Sequence, residues 1–216
     1  MKARLNRQLF MQSVFDSGAL GGTTSVVHQF CEDGEYKGVV RQRGQVVGQF
    51  AFHVDDQSSV GQADFDLAVI ASDQQNSEEY QCCCKDREGK GVVISPKGYA
   101  LFYASRGTGF SVRVGKLEPR KPDFNRERLT SGDLFALSLL EPTKYSLRDT
   151  QSNAEGEIEV VFTARHAKRL PSLQPIRVEV TDSGFTPSNL KLVSTQGLVF
   201  QIQDKSRVLI EKLAEG

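Results

Sequence analysis

Three consecutive thiols, Cys82-Cys83-Cys84, with Lys85 beside them and Arg87 close by, are the residues of this 216-residue chain best equipped for chemistry. On a strand, Cys82 and Cys84 would share a face and Cys83 would point the other way. A Cys-x-Cys pair of this kind can chelate a soft ion if further ligands join it. A neighbouring cation can also lower a thiol pKa and make the thiolate reactive. The plainer alternative is that the cysteines are small core residues of a strand. A structural disulfide to Cys31 would need an oxidising compartment.

Other candidate sites are weaker. Arg113, Lys116, Arg120, Lys121, Arg126 and Arg128 form the one local excess of positive charge, and could dock an anionic partner with Phe124 as an exposed aromatic. The interleaved Glu118, Asp123 and Glu127 weaken that field. His28 and Cys31, three apart, would fall on opposite faces of a strand. His53 lies on the polar side of its alternation, and His166 sits among cations. Three scattered histidines make no metal triad, and no metal or cofactor is expected. The loop Ser105-Arg106-Gly107-Thr108-Gly109 resembles a phosphate loop only superficially. It lacks the Gly-Lys-Ser/Thr ending and leads into a strand instead of a helix. Ser17 to Gly22 has the composition of a flexible connector. Asp55-Asp56 and Asp64/Asp66 are too few oxygens for a calcium loop. No nucleophile elbow is present, so no catalytic residue is assigned.

The elements that would hold these residues are strands. Alternation of apolar and polar positions marks Tyr36–Val54, with a fold-back at Arg43-Gly44-Gln45. It continues through 65–69, and then through 92–103 around the turn Ser95-Pro96-Lys97-Gly98, which predicts a hairpin. Further runs follow at 110–114, 135–139, 145–147, 158–162, 176–180, 198–202 and 208–210. Leu5, Leu9 and Val14 permit a short helix at the start. Glu118–Thr130, with two prolines and mixed charge, predicts a long loop. About a dozen short strands separated by turn residues predict an all-β chain, an antiparallel β-sandwich built as one large or two fused units.

Composition narrows the class of partner. Lys plus Arg number 27 and Asp plus Glu 27, so the basic excess of a dedicated nucleic-acid binder is missing. No apolar run approaches the roughly 20 residues of a membrane-spanning helix, and no signal-peptide core is evident. These features predict a cytoplasmic protein with neither nucleic-acid nor membrane partners. Ala167–Pro175 is the best linker. It predicts a main domain over 1–166 and a C-terminal segment, 176–216, too short to fold alone and therefore packed on the main domain or on a neighbouring subunit.

The sequence also echoes itself. Asp33-Gly34-Glu35-Tyr36 leads a strand, a turn and Gly48–Phe52, while Pro142-Thr143-Lys144-Tyr145 leads a strand, a turn and Gly156–Val160. In each, a Tyr just after a turn would pack its ring and hydrogen-bond its hydroxyl, as at a sandwich corner. Two small sandwich units would explain the echo, and so would the ordinary grammar of antiparallel proteins.

The segment Gly184-Phe185-Thr186-Pro187-Ser188-Asn189-Leu190, followed by Gly197 and Val199-Phe200, resembles the opening strands of cupredoxins, the blue-copper sandwich family. The resemblance covers 176–208 and implies a sandwich scaffold. It does not extend to copper, which needs two His and a Cys, because no Cys, His or Met follows His166. The expected function is therefore a non-enzymatic binding or assembly module, acting through a protein partner or self-association. The alternative is a thiol-based redox or soft-metal protein using Cys82, Cys83 and Cys84.

Overall fold

The computed structural model describes residues 7–73, 91–117, 122–125, 128–162 and 173–214. The first half holds a 3-10 turn at Arg7–Phe10, then β1 (Val14–Asp16), β2 (Thr24–His28), β3 (Gly34–Gln42), β4 (Gln45–Val54) and β5 (Gln62–Asp66). Helix α1 (Leu67–Asp73) follows, then β6 (Val92–Ile94), β7 (Tyr99–Tyr103), β8 (Phe110–Lys116) and β9 (Pro122–Asn125). The second half holds β10 (Leu134–Ser138), β11 (Lys144–Asp149), β12 (Glu155–Val161), β13 (Ile176–Thr181), β14 (Gly184–Thr186), β15 (Asn189–Val193), β16 (Gly197–Ile202) and β17 (Val208–Lys212).

The chain is all-β in architecture, a sandwich-like assembly of three sheets. A seven-stranded sheet, β14-β13-β16-β10-β2-β7-β5, runs through both halves. Two five-stranded sheets accompany it, β6-β4-β3-β8-β9 from the first half and β1-β17-β11-β12-β15, in which β1 joins four strands of the second. The sheets are mixed: β4 with β6, β5 with β7, β12 with β15 and β13 with β16 are parallel pairs. Each parallel pair arises where the chain crosses between sheets before returning beside an earlier strand, which a hairpin cannot do. The strands after Ile176 are woven into two sheets. β16 lies beside β10 and β13 beside β16, whereas β15 and β17 lie beside β12 and β11.

Alternation is obeyed where one sheet face is buried. In β3 and β4, Tyr36, Val40, Phe50, Phe52 and Val54 point inward, and Arg43-Gly44 closes the hairpin with φ of 50° and 87°. Two positive φ values give the turn the twist that matches its strands. The first-half core is aromatic. Phe50, Phe52, Phe65 and Phe102 pack with ring centroids 4.7–6.3 Å apart, and Tyr36 stacks on Phe52 at 5.3 Å. The second half packs Phe135, Tyr145, Leu147, Ile158, Phe200 and Ile210 instead.

Three local expectations are corrected. The alternation through 65–69 predicts one strand, but β5 stops at Asp66 and α1 begins. The Asp66 carboxylate accepts the Ala68 N–H (3.0 Å) and so caps the helix, and Leu67, Ala68, Ile70 and Ala71 are buried at helical spacing. The Ser95–Gly98 turn exists, with the Gly98 N–H donating to Ser95 O. It joins strands of different sheets, however, and does not close a hairpin. Within 118–130, expected to be a loop, β9 pairs with β8, and Phe124, expected to be exposed, is buried against Phe102 at 5.4 Å.

Both tyrosine corners are built. The Tyr36 hydroxyl donates to Glu32 O (2.8 Å) and the Tyr145 hydroxyl to Glu141 O (3.1 Å), each four residues upstream. In each, a lysine from the strand beside the tyrosine, Lys116 or Lys212, pairs with that same glutamate's side chain. Burial, and secondarily the Glu141 charge, pushes the Tyr145 hydroxyl up from 10.0 to about 12. The unfolded chain keeps the ordinary value, so this contribution to stability is complete below about pH 10 and is lost as pH rises toward about 12. Tyr145→Phe is expected to cost about 1 kcal/mol at neutral pH through the lost hydrogen bond. It should also flatten the alkaline decline of stability, as checked by urea unfolding at several pH values.

Candidate functional site

In the first half of the chain, three segments enclose an open groove of about 600 Å³. The β3–β4 turn contributes Gln42 and Arg43. The β7–β8 loop contributes Ser105, Arg106, Gly107, Thr108 and Gly109. The segment leading through β1 contributes Leu9, Met11, Val14 and Asp16.

The local sequence explains each wall. Gly107 and Gly109 take φ of 74° and 79°, which lets the loop curl back over β3. There the Gln42 side-chain amide donates to Thr108 O (3.2 Å) and the Arg43 N–H to Gly109 O (3.0 Å). Phe110 then anchors the loop by exchanging backbone bonds with Leu20. On the opposite wall, Met11 is 80 % exposed and Val14 46 %. Val14 begins the three-residue edge strand β1, and Met11 lies just before it.

The groove's charge is lopsided. Arg43 and Arg106 form no ion pair among the described residues. The one carboxylate lining it, Asp16, is already held by Arg207, Nε to Oδ1 at 3.1 Å and Nη2 to Oδ2 at 2.7 Å. β1 ends its sheet, and its Val14 carbonyl accepts only the Gln12 side-chain amide (3.1 Å) on the outer edge. The site therefore offers two cations, an apolar strip and a strand edge within one concavity.

A second cluster lies at the seam between β2 and β10. His28 Nδ1 meets the Asp133 carboxylate at 2.5 Å. The other Asp133 oxygen accepts the Thr130 N–H (2.7 Å) and hydroxyl (3.2 Å). Asp133 is 1 % exposed, and the His28 ring lies between Phe30 and Phe124 at 4.5 and 4.6 Å. No sequence signal marks this pair, because its members are far apart in the chain and each reads alone as a surface residue.

Of the residues singled out from sequence, Cys82, Cys83 and Cys84 lie outside the described residues, as do Arg120, Lys121, Arg126 and His166. Arg113 is exposed on β8, Arg128 is exposed just before β10, and Lys116 is paired with Glu32. His53 is half-buried on β4, and Cys31 is exposed outside any strand. Two of the carboxylates serve the backbone, Asp55 accepting the Gln57 N–H and Asp66 capping α1 and accepting the Ser105 N–H, while Asp56 and Asp64 accept the side-chain amides of Gln57 and Gln62. Among the described residues, no three His, Cys, Asp or Glu side chains converge as a metal site would require, and no helix is long and apolar enough to cross a membrane. The Ser105–Gly109 loop does line a concavity, shared with Ala19 and Gly22 of the Ser17–Gly22 connector, and His53 lines a separate one.

No family model matches the chain, and no curated protein or solved structure is significantly similar to it.

Proposed function

We propose that the protein is a binding module that captures an extended segment of a partner protein in the groove between the β3–β4 turn, the β7–β8 loop and β1. The observation that carries this reading is the pairing of two arginines that have no ion-pair partner among the described residues, Arg43 and Arg106, with the exposed Met11 and Val14. That arrangement suits a segment with an acidic side chain next to an aliphatic one. At Val14 the outer edge of β1 supports a short strand addition, in which main-chain bonds provide affinity and side-chain pockets provide selectivity, whereas the Asp16 carbonyl further along already accepts the Ala19 N–H. An incoming N–H would replace the Gln12 amide on the Val14 carbonyl. The module acts by contact and not by catalysis.

Selection of a random peptide library on the purified protein tests this. Enriched sequences are expected to place Asp or Glu beside Leu, Ile, Val or Met. Binding of a synthetic copy should fall at least tenfold in the Arg43→Glu/Arg106→Glu variant, and should weaken with added salt. Enriched peptides that ignore the double charge reversal would overturn the reading, as would failure to enrich any peptide.

A further inference from the structure

We infer that the chain is a fused dimer: two copies of one unit that exchange their first strands and recognise each other across a surface fitted to a second copy. The strand order of the first half, β6-β4-β3-β8 in one sheet and β5-β7-β2 in the other, recurs in the second as β15-β12-β11-β17 and β13-β16-β10. Every pairing keeps its sense. The parallel pairs β4/β6 and β5/β7 match β12/β15 and β13/β16, and the antiparallel pairs match likewise.

Individual residues match at one constant interval along the chain: Phe15 with Phe124, Leu20 with Leu129, Thr24 with Asp133, Glu32 with Glu141 and Tyr36 with Tyr145. Their bonds match too. Leu20 bridges Phe110 as Leu129 bridges Ser206, and Thr24 closes a turn on Gly21 as Asp133 closes one on Thr130. The glutamate–tyrosine–lysine corner is the third such case.

The exchange follows from where the first strand of each copy goes. β1 leads the first unit, yet it pairs with β17, and Phe15 packs on Tyr145 in the second unit. β9 leads the second unit, yet it pairs with β8, and Phe124 stacks on Phe102 in the first. Phe15 opposite Ile210 and Phe124 opposite Val114 are the same position used twice. Between the copies, β2 and β10 pair antiparallel with Val26 opposite Phe135, two residues equivalent in the repeat. A local two-fold axis therefore passes through them, as at the isologous interface of a symmetric dimer.

One pair of contacts breaks that symmetry. On one side of the axis Thr24 faces Leu137, and on the other His28 meets Asp133. If the second unit paired with a copy of itself, Asp133 would face Leu137, a buried carboxylate without its partner. The seam therefore favours the unlike pairing and disfavours the like one.

The test is to place a protease site between Leu117 and Pro122 of the full chain, cleave the purified protein, and determine assembly by sizing and native mass. The halves are expected to remain a one-to-one complex at micromolar concentration with an unchanged circular dichroism spectrum. Separation, into folded or unfolded halves, overturns the inference. Hydrogen exchange gives an independent measure. Phe15→Leu should lose most protection in β17 and β11, and Phe124→Leu in β8 and β3. Losses confined to the unit each residue precedes in sequence would overturn the exchange. In the cleaved Asp133→Thr variant the C-terminal half should also pair with itself. An exclusively one-to-one complex there would overturn the assignment of specificity to the His28–Asp133 pair.

Discussion

Asp133→Ala is expected to destabilise the protein by about 3 kcal/mol, because it removes one buried acceptor from three donors at once. The carboxylate is 1 % exposed and holds the Thr130 N–H at 2.7 Å, the Thr130 hydroxyl at 3.2 Å and His28 at 2.5 Å. Alanine leaves the turn before β10 with only its main-chain bond, Asp133 N–H to Thr130 O, and the His28 ring without its anchor in the seam. Asp133→Asn keeps an acceptor for the Thr130 N–H, so about half the loss should return. His28→Leu copies the residue at the equivalent seam position, Leu137, but strands the carboxylate. His28→Leu combined with Asp133→Thr makes both sides of the seam alike, and should cost clearly less than the sum of the two single changes. Urea unfolding of the four proteins reads this coupling directly. Additive losses would show that the pair does not act as one contact.

Gly156→Ala has the second large effect, again about 3 kcal/mol, and for a reason of backbone geometry. A Cβ at Gly156 would stand 2.3 Å from the Ser188 carbonyl, which accepts the Glu157 N–H at 3.0 Å in the pairing of β12 with β15. The new methyl must push two paired strands apart. Its counterpart in the other unit is instructive. There the glycine is Gly38, opposite Phe50, whereas in the second unit Leu147 lies opposite Gly156. Each unit fits one large and one minimal residue at this cross-strand position, with the roles reversed. A Cβ at Gly38 would lie 2.1 Å from the Phe50 ring, which is hemmed in by Phe52, Phe65 and Phe102. Gly38→Ala should therefore be costly alone and partly rescued by Phe50→Leu, since the obstacle is a side chain. Gly156→Ala should not be rescued by Leu147→Ala, since its obstacle is main chain. Thermal unfolding of the four variants separates the two cases.

What could be read without coordinates was periodic or local. Alternation in Tyr36–Val54, 110–114 and 176–180 marked strands because one face of each is buried. Gly44 marked a turn because few residues accept its φ of 87°, Pro96 because its ring presets φ, and Gly98 where a Cβ would stand 2.8 Å from the Val60 carbonyl. The tyrosine corners were visible as an echo, since each closes on a carbonyl only four residues away. Local signals also misled. Phe65, Leu67 and Val69 alternate like a strand, yet the Asp66 cap and the packing of α1 on β4 override that pattern. The charged surroundings of Phe124 suggest exposure. β9 instead brings its side chain under the first-half sheet, because the partner strand that decides its burial lies outside the segment itself.

The sequence alone determined that this chain is all-β and where most of its turns fall, both of which depend on neighbours within a few residues. Tertiary structure decided the rest. It set which strands pair, that each first strand completes the other unit's sheet, that His28 meets Asp133, and that Arg43, Arg106 and Met11 share a groove. Each of these is a contact between residues distant in the chain. Hydrophobic alternation states which face of a strand is buried and carries no information about which strand covers it.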